Sequence, residues 1–124
     1  MRVTGLDHVV LHVADAEVSL AWYEQVLGLE GVRVEEWRRG EVPFVSVRVD
    51  PSTIIDLFEG GVDDGAIDHL ALVVTDVDLD ALAESGTVDV VTGPAPRWGA
   101  RGMGRSVYVR DPDGHVIELR VYPG

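Results

Sequence analysis

The sequence predicts an α+β domain made of two βαβββ modules, about residues 1–60 and 66–124 of the 124-residue chain. Three observations lead there. Residues 67–76, IDHLALVVTD, match residues 6–15, LDHVVLHVAD, at five of ten positions with an offset of 61. Both segments alternate with the period of two that marks a strand. Each is followed by a helical pattern and then by strand patterns that turn on an Asp-Pro pair, at Asp50-Pro51 and at Asp111-Pro112.

Taken in order, the first strand sets Leu6, His8, Val10 and His12 on one face and Val9, Leu11 and Val13 on the other. Asp15 suits an N-cap. A helix is expected over Ala16–Leu27, with Val18, Trp22, Val26 and Leu27 as its apolar stripe and Gly28 as its C-terminal stop. Strands are expected over 29–38, 43–49 and 53–58, parted by turns at Arg39-Gly40 and Asp50-Pro51-Ser52. The acidic, glycine-rich run EGGVDDGA at 59–66 joins the modules. The second module opens with a strand over 67–75, a short helix over Leu79–Ser85 stopped by Gly86, and a strand over 87–92.

Residues 93–104, GPAPRWGARGMG, break all periodicity and predict a loop, lying either over a site or on the open surface. The chain closes on the hairpin RSVYVR-DPDG-HVIELRVY. Pro112 suits the second position of a type I turn, and Gly114 the left-handed residue after it. That turn sets Asp111 opposite His115 and, counting outward, Tyr108 opposite Glu118 on one face of the sheet. A two-residue turn would set Val107 there and send Tyr108 to the other face.

Composition excludes several classes. Ten arginines against 22 acidic residues leave a net charge of −12, which repels phosphate backbones and argues against nucleic acid as a partner. There is no lysine for Schiff-base chemistry and no cysteine for disulfides or thiolate metal sites. No apolar run is long enough to span a membrane. The N-terminus enters a strand pattern at once, without a secretory apolar region, so a cytoplasmic location is expected.

The repeat supplies candidate chemistry. VRVDPSTIIDLF matches YVRDPDGHVIELR loosely, so Asp56 corresponds to Glu118 at an offset of 62. Each module then offers two polar positions on apolar strands: His8 and Asp56, His69 and Glu118. A pseudo-twofold arrangement would gather all four at one centre. Two imidazoles with one or two carboxylates suit a divalent cation such as Zn, Ni, Mn, Fe(II) or Co, which could compensate their burial together. The competing reading satisfies His8 and His69 with backbone or with Asp7 and Asp68, and leaves Glu118 in solvent. Asp56 reads as a fourth ligand, a base or a polar wall residue. Tyr108 reads as packing, or as a hydrogen-bond donor to a bound oxyanion. His12 shares a face with His8, but its repeat partner is Val73. His115 is expected to be exposed, and Trp22 and Tyr23 to pack on the helix. An anionic substrate could use Arg97, Arg101 or Arg105; solvated surface charge is the plainer reading. Glu35 and Glu36 read either as lining the sheet or as facing water.

The chain resembles the vicinal oxygen chelate superfamily, which includes glyoxalase I, extradiol dioxygenases, methylmalonyl-CoA epimerase, fosfomycin-resistance enzymes and bleomycin-binding proteins. The resemblance spans nearly the whole chain and is carried by LDHVVLHVADAEVSLAWYEQVLGLE, IDHLALVV and SVYVRDPDGHVIEL. It implies paired βαβββ modules in a curved mixed sheet around a cleft. It also implies a divalent metal at positions matching His8, His69 and Glu118, and frequent homodimers, some with sites shared between chains. Asp56 departs from the glutamate of glyoxalase I-like members, and ARGMGRS does not match the fosfomycin-resistance loop. Tyr108 matches a tyrosine of extradiol and fosfomycin-resistance relatives. The resemblance thus implies a metal-dependent lyase, isomerase or dioxygenase acting on a small substrate, with Asp56 and Tyr108 assisting. The alternatives are a drug-sequestering binder of the bleomycin-resistance type and a metal-free scaffold.

Overall fold

The structure, a computed structural model, describes residues 1–112 and 114–124. Its strands form one eight-stranded mixed sheet in the order β2-β3-β4-β1-β5-β8-β7-β6. The strands are β1 Arg2–Val13, β2 Glu30–Val32, β3 Val45–Asp50, β4 Thr53–Glu59, β5 Ile67–Thr75, β6 Asp89–Gly99, β7 Gly102–Arg110 and β8 Val116–Val121. Three α-helices, α1 Ala16–Leu27, α2 Val34–Arg38 and α3 Leu79–Glu84, complete the described elements with a single 3-10 turn at Val62–Asp64. No described helix is long and apolar enough to cross a membrane. Contacts divide the chain into two units, Met1–Asp7 with His69–Gly124, and His8–Asp68. Both divisions fall inside an Asp-His pair.

In the unit His8–Asp68, the second half of β1 runs parallel to β4, from His8 opposite Ile54 to Val13 opposite Glu59. β4 pairs antiparallel with β3, and β3 with β2. Helix α1 starts where the sequence indicates: Asp15 accepts hydrogen bonds from the backbone N–H groups of Glu17 and Val18. It ends at Gly28, whose φ of 69° is left-handed. The buried face is not the expected one. Val18, Trp22, Val26 and Leu27 are exposed, whereas Ala16 and Leu20 are buried against Val45, Val47 and Leu57, with Tyr23 packed alongside. Each fully buried Val or Leu contributes about 1.5–3 kcal/mol, so alternation on β3 and β4 decides which stripe of α1 is covered.

The strand expected over 29–38 is a second correction. Only Glu30–Val32 is extended; Arg33 turns left-handed at φ 57° and Val34–Arg38 forms α2. Val34 and Trp37 pack on the same core as α1, which a continued strand would not allow. On the first turn of α2, Glu35 lies exposed and Glu36 half-buried, within ion-pair distance of Arg38 and Arg39 respectively.

In the other unit, β5 runs parallel to β8, β8 antiparallel to β7, and β7 to β6. Asp78 caps α3 through the backbone N–H groups of Asp80 and Ala81. Leu79 joins Val74, Val107, Val109 and Leu119 in the buried core. The loop expected over 93–104 does not exist. β6 continues through Gly99 and returns as β7 from Gly102, with Trp98 opposite Met103 and Arg97 opposite Gly104. Register shifts between Val90 and Ala95 absorb the glycine and proline that disguise the strand. The final hairpin has the anticipated register. The Asp111 N–H donates to the His115 carbonyl at 2.9 Å, Gly114 is left-handed at φ 86°, and Tyr108 stands opposite Glu118.

Candidate metal centre

Alternation on β3 and β4 puts Val45, Val47 and Leu57 on the α1 side and leaves Ser46 and Asp56 buried on the other. Ser46 lies directly opposite Asp56 and donates its hydroxyl to Oδ1 at 2.5 Å. The second carboxylate oxygen, Oδ2, is 3.7 Å from Nε2 of His8, and both side chains are almost completely buried. His12, two residues along the same strand, has Nδ1 2.8 Å from the Gly65 carbonyl and Nε2 2.9 Å from Asp68. The bond to Gly65 and then that to Asp68 raise its pKa above the usual 6.5. His12 is thus tied to the segment that ends this unit.

The other unit builds a comparable arrangement on β5, β7 and β8. Glu118 is 1% exposed, and its Oε1 lies 3.1 Å from Nε2 of His69. Its Oε2 accepts from Ser106 at 2.8 Å and from Nη1 of Arg120 at 2.6 Å. The Tyr108 ring meets that of His69 edge-on, with centroids 5.2 Å apart. Burial, followed by the charge of Glu118, pushes the Tyr108 phenol well above its usual pKa of 10. The phenol is therefore a proton donor, not a phenolate, across the working range. The Arg97 guanidinium lies 5.9 Å from the centre of the Tyr108 ring.

His69 with Glu118 in one unit, and His8 with Asp56 in the other, each set an imidazole nitrogen beside a buried carboxylate. Two imidazoles and a carboxylate are borderline-to-hard donors, which fit Zn, Ni, Mn, Fe(II) or Co. Three contacts bear on the plainer reading of the histidines. Asp7 accepts from the Ala100 N–H at 2.9 Å and from the Tyr122 hydroxyl at 2.6 Å, while Asp68 engages His12. Glu118 is buried, not solvated.

Sequence reasoning missed Ser46, Ser106 and Arg120. The serines sit on the antiparallel neighbours of the two carboxylate strands, so strand register could have found them. Arg120 carried no signal, because an arginine on a strand reads as solvent-facing. The other loop-segment arginines serve locally: Arg105 pairs with Asp80 at 2.7 Å, and Arg101 stacks 4.3 Å from the Tyr122 ring centre. His115 is exposed and bonded to Asp111. An apolar groove of about 460 Å³, lined by Pro96, Met103, Arg105, Val121 and Pro123, contains none of the candidate metal ligands.

A family model described as Glyoxalase/Bleomycin resistance protein/Dioxygenase superfamily matches residues 5–119. Virulence protein STM3117 of Salmonella typhimurium is 31% identical over 127 residues, covering 98% of this chain and 87% of that one. A probable lactoylglutathione lyase of Vibrio cholerae is 30% identical over 122 residues, covering 90% and 86%. Among solved structures, methylmalonyl-CoA epimerase from Mycobacterium tuberculosis matches with a TM-score of 0.71 and 27% identity, covering 98% of this chain and 90% of that one.

Proposed function

The chain belongs to the glyoxalase/bleomycin resistance protein/dioxygenase superfamily, and within it we propose a divalent-metal-dependent enzyme of the lyase or isomerase kind. Its substrate is a small molecule that presents two neighbouring oxygens. The observation that carries this reading is the state of Glu118. A buried carboxylate has one oxygen saturated by Ser106 and Arg120 and the other directed at a histidine nitrogen. Arg120 already balances the charge through Oε2, so Oε1 and the facing imidazole stand as a donor pair, and a cation held by His8, His69 and Glu118 suits that donor set. Two relatives whose names denote a lyase and an epimerase support the enzyme class over a passive binder.

When bound, the cation supplies Lewis-acid stabilisation of an enolate or alkoxide oxygen. The chain's own residues do the rest. Asp56, held at Oδ1 by Ser46, takes or returns a proton through Oδ2. Tyr108 stays protonated and donates to the developing oxyanion. Elemental analysis of the purified protein tests the reading. One metal per chain is expected, with loss in His69→Ala. Unchanged metal content in that variant removes His69 from the centre. Full ligand binding without turnover, indifferent to chelator, would instead favour the drug-sequestering class.

A further inference from the structure

The proposed chemistry leaves one fully buried cation without a role. Arg120 is 0% exposed and is, among the described residues, the largest completely buried side chain. The fold holds a berth open for it. A Cβ on Gly99 would strike its guanidinium and the Tyr122 hydroxyl, and one on Gly104 would come within 2.9 Å of Nη2. The Trp98 carbonyl accepts from Nη1 at 3.2 Å, and the carbonyls of Arg97 and Gly102 accept from Nη2 at 3.0 and 3.3 Å. Asp7 flanks Nε at 3.6 Å, and the Tyr122 ring centre lies 4.7 Å from the guanidinium carbon. So fixed, Arg120 makes its shortest contact, 2.6 Å, to Oε2 of Glu118. Ser106 bonds that same oxygen at 2.8 Å and also accepts from Nη1 at 3.2 Å. Strand, hairpin and N-terminal segment all converge on holding a single carboxylate oxygen.

We propose that Arg120 is a positioning residue which, with Ser106, occupies Oε2 of Glu118 and so makes that glutamate a one-oxygen ligand, offered through Oε1 beside Nε2 of His69. This rests on the metal reading above. A carboxylate binding through both oxygens would take two coordination positions; restrained to one, it leaves a further position for a substrate that chelates through two oxygens. The rigid guanidinium fork suits this task, since it can hold one carboxylate oxygen and three backbone carbonyls together without turning away.

Co(II) is the probe. Metal-free wild type, Arg120→Met and Ser106→Ala are titrated with Co(II), following the visible absorption and the affinity by chelator competition. Wild type is expected to bind one equivalent. Both variants are expected to show weaker visible bands, as Glu118 swings to two-oxygen binding and the coordination number rises, with affinity reduced by about tenfold. An arginine that merely braced the sheet would lower the melting temperature and leave the spectrum alone. Wild-type uptake with unchanged spectra and affinity in folded variants overturns this inference only; no uptake by wild type overturns the metal reading and this inference with it. Should Arg120→Met fail to fold, Ser106→Ala, which deletes one hydroxyl, carries the test.

Discussion

Tyr108 stands opposite Glu118 across the β7–β8 ladder, so a phenol that keeps its proton lies beside a buried carboxylate. Tyr108→Phe preserves the ring that meets His69 and removes only the hydroxyl. The expected outcome is unchanged metal content with turnover lowered by roughly 100-fold, as for loss of an oxyanion donor. Steady-state kinetics on metal-analysed protein check it. Turnover equal to wild type would assign Tyr108 to packing.

The same tyrosine predicts an alkaline limit. Its folded pKa is raised above 10 by burial, as is that of Tyr122, which is half-buried and donates to Asp7. A raised folded pKa gives stability that is fully present below pH 10 and is lost as pH climbs through the folded values. The melting temperature should therefore fall above pH 10, and less steeply in Tyr108→Phe.

His12 gives a second, milder pH dependence. Its bonds to Gly65 and Asp68 raise its folded pKa above 6.5. The stabilisation it adds is complete below that value and disappears as pH rises through the raised one. NMR titration should place the His12 midpoint above 6.5, returning toward it in Asp68→Asn. An identical midpoint in the two proteins would show that the carboxylate does not act on the ring.

Asp56→Asn keeps the shape of the side chain and removes its basicity. Metal content should persist, while exchange of the substrate's acidic C–H with deuterated solvent slows by at least about 100-fold. If metal is lost instead, Asp56 serves as a ligand.

Gly99→Ala tests the berth of Arg120. The added methyl collides with the guanidinium and with the Tyr122 hydroxyl. Overpacking of this kind costs about 1–3 kcal/mol, measurable by urea denaturation. Gly5→Ala, which meets nothing within 4 Å and lies on β1, should be nearly neutral by comparison.

Local rules made much of this molecule legible. Asp15 and Gly28 bound α1 as capping chemistry requires, and the Asp111–His115 turn fixes the register that brings Tyr108 to Glu118. The failures have a common cause in tertiary choice. Helix α1 carries two apolar stripes, and only packing on Val45, Val47 and Leu57 selects Ala16 and Leu20 over Val18 and Trp22. Residues 34–38 alternate too weakly to resist a core that draws in Val34 and Trp37. The glycines of 93–104 resemble loop punctuation, yet Gly99 and Gly104 make room for an arginine that lies far along the sequence. Burial of a charge by distant partners has no local signature, so Ser106 and Arg120 became visible only with the strands in register.

The division of the chain inside both Asp-His pairs has a mechanical consequence. Asp7 fastens Ala100 and Tyr122 within one unit, while Asp68 fastens His12 within the other. Each aspartate thus anchors the backbone next to an imidazole, so that losing either anchor would be felt at a histidine the substitution never touches.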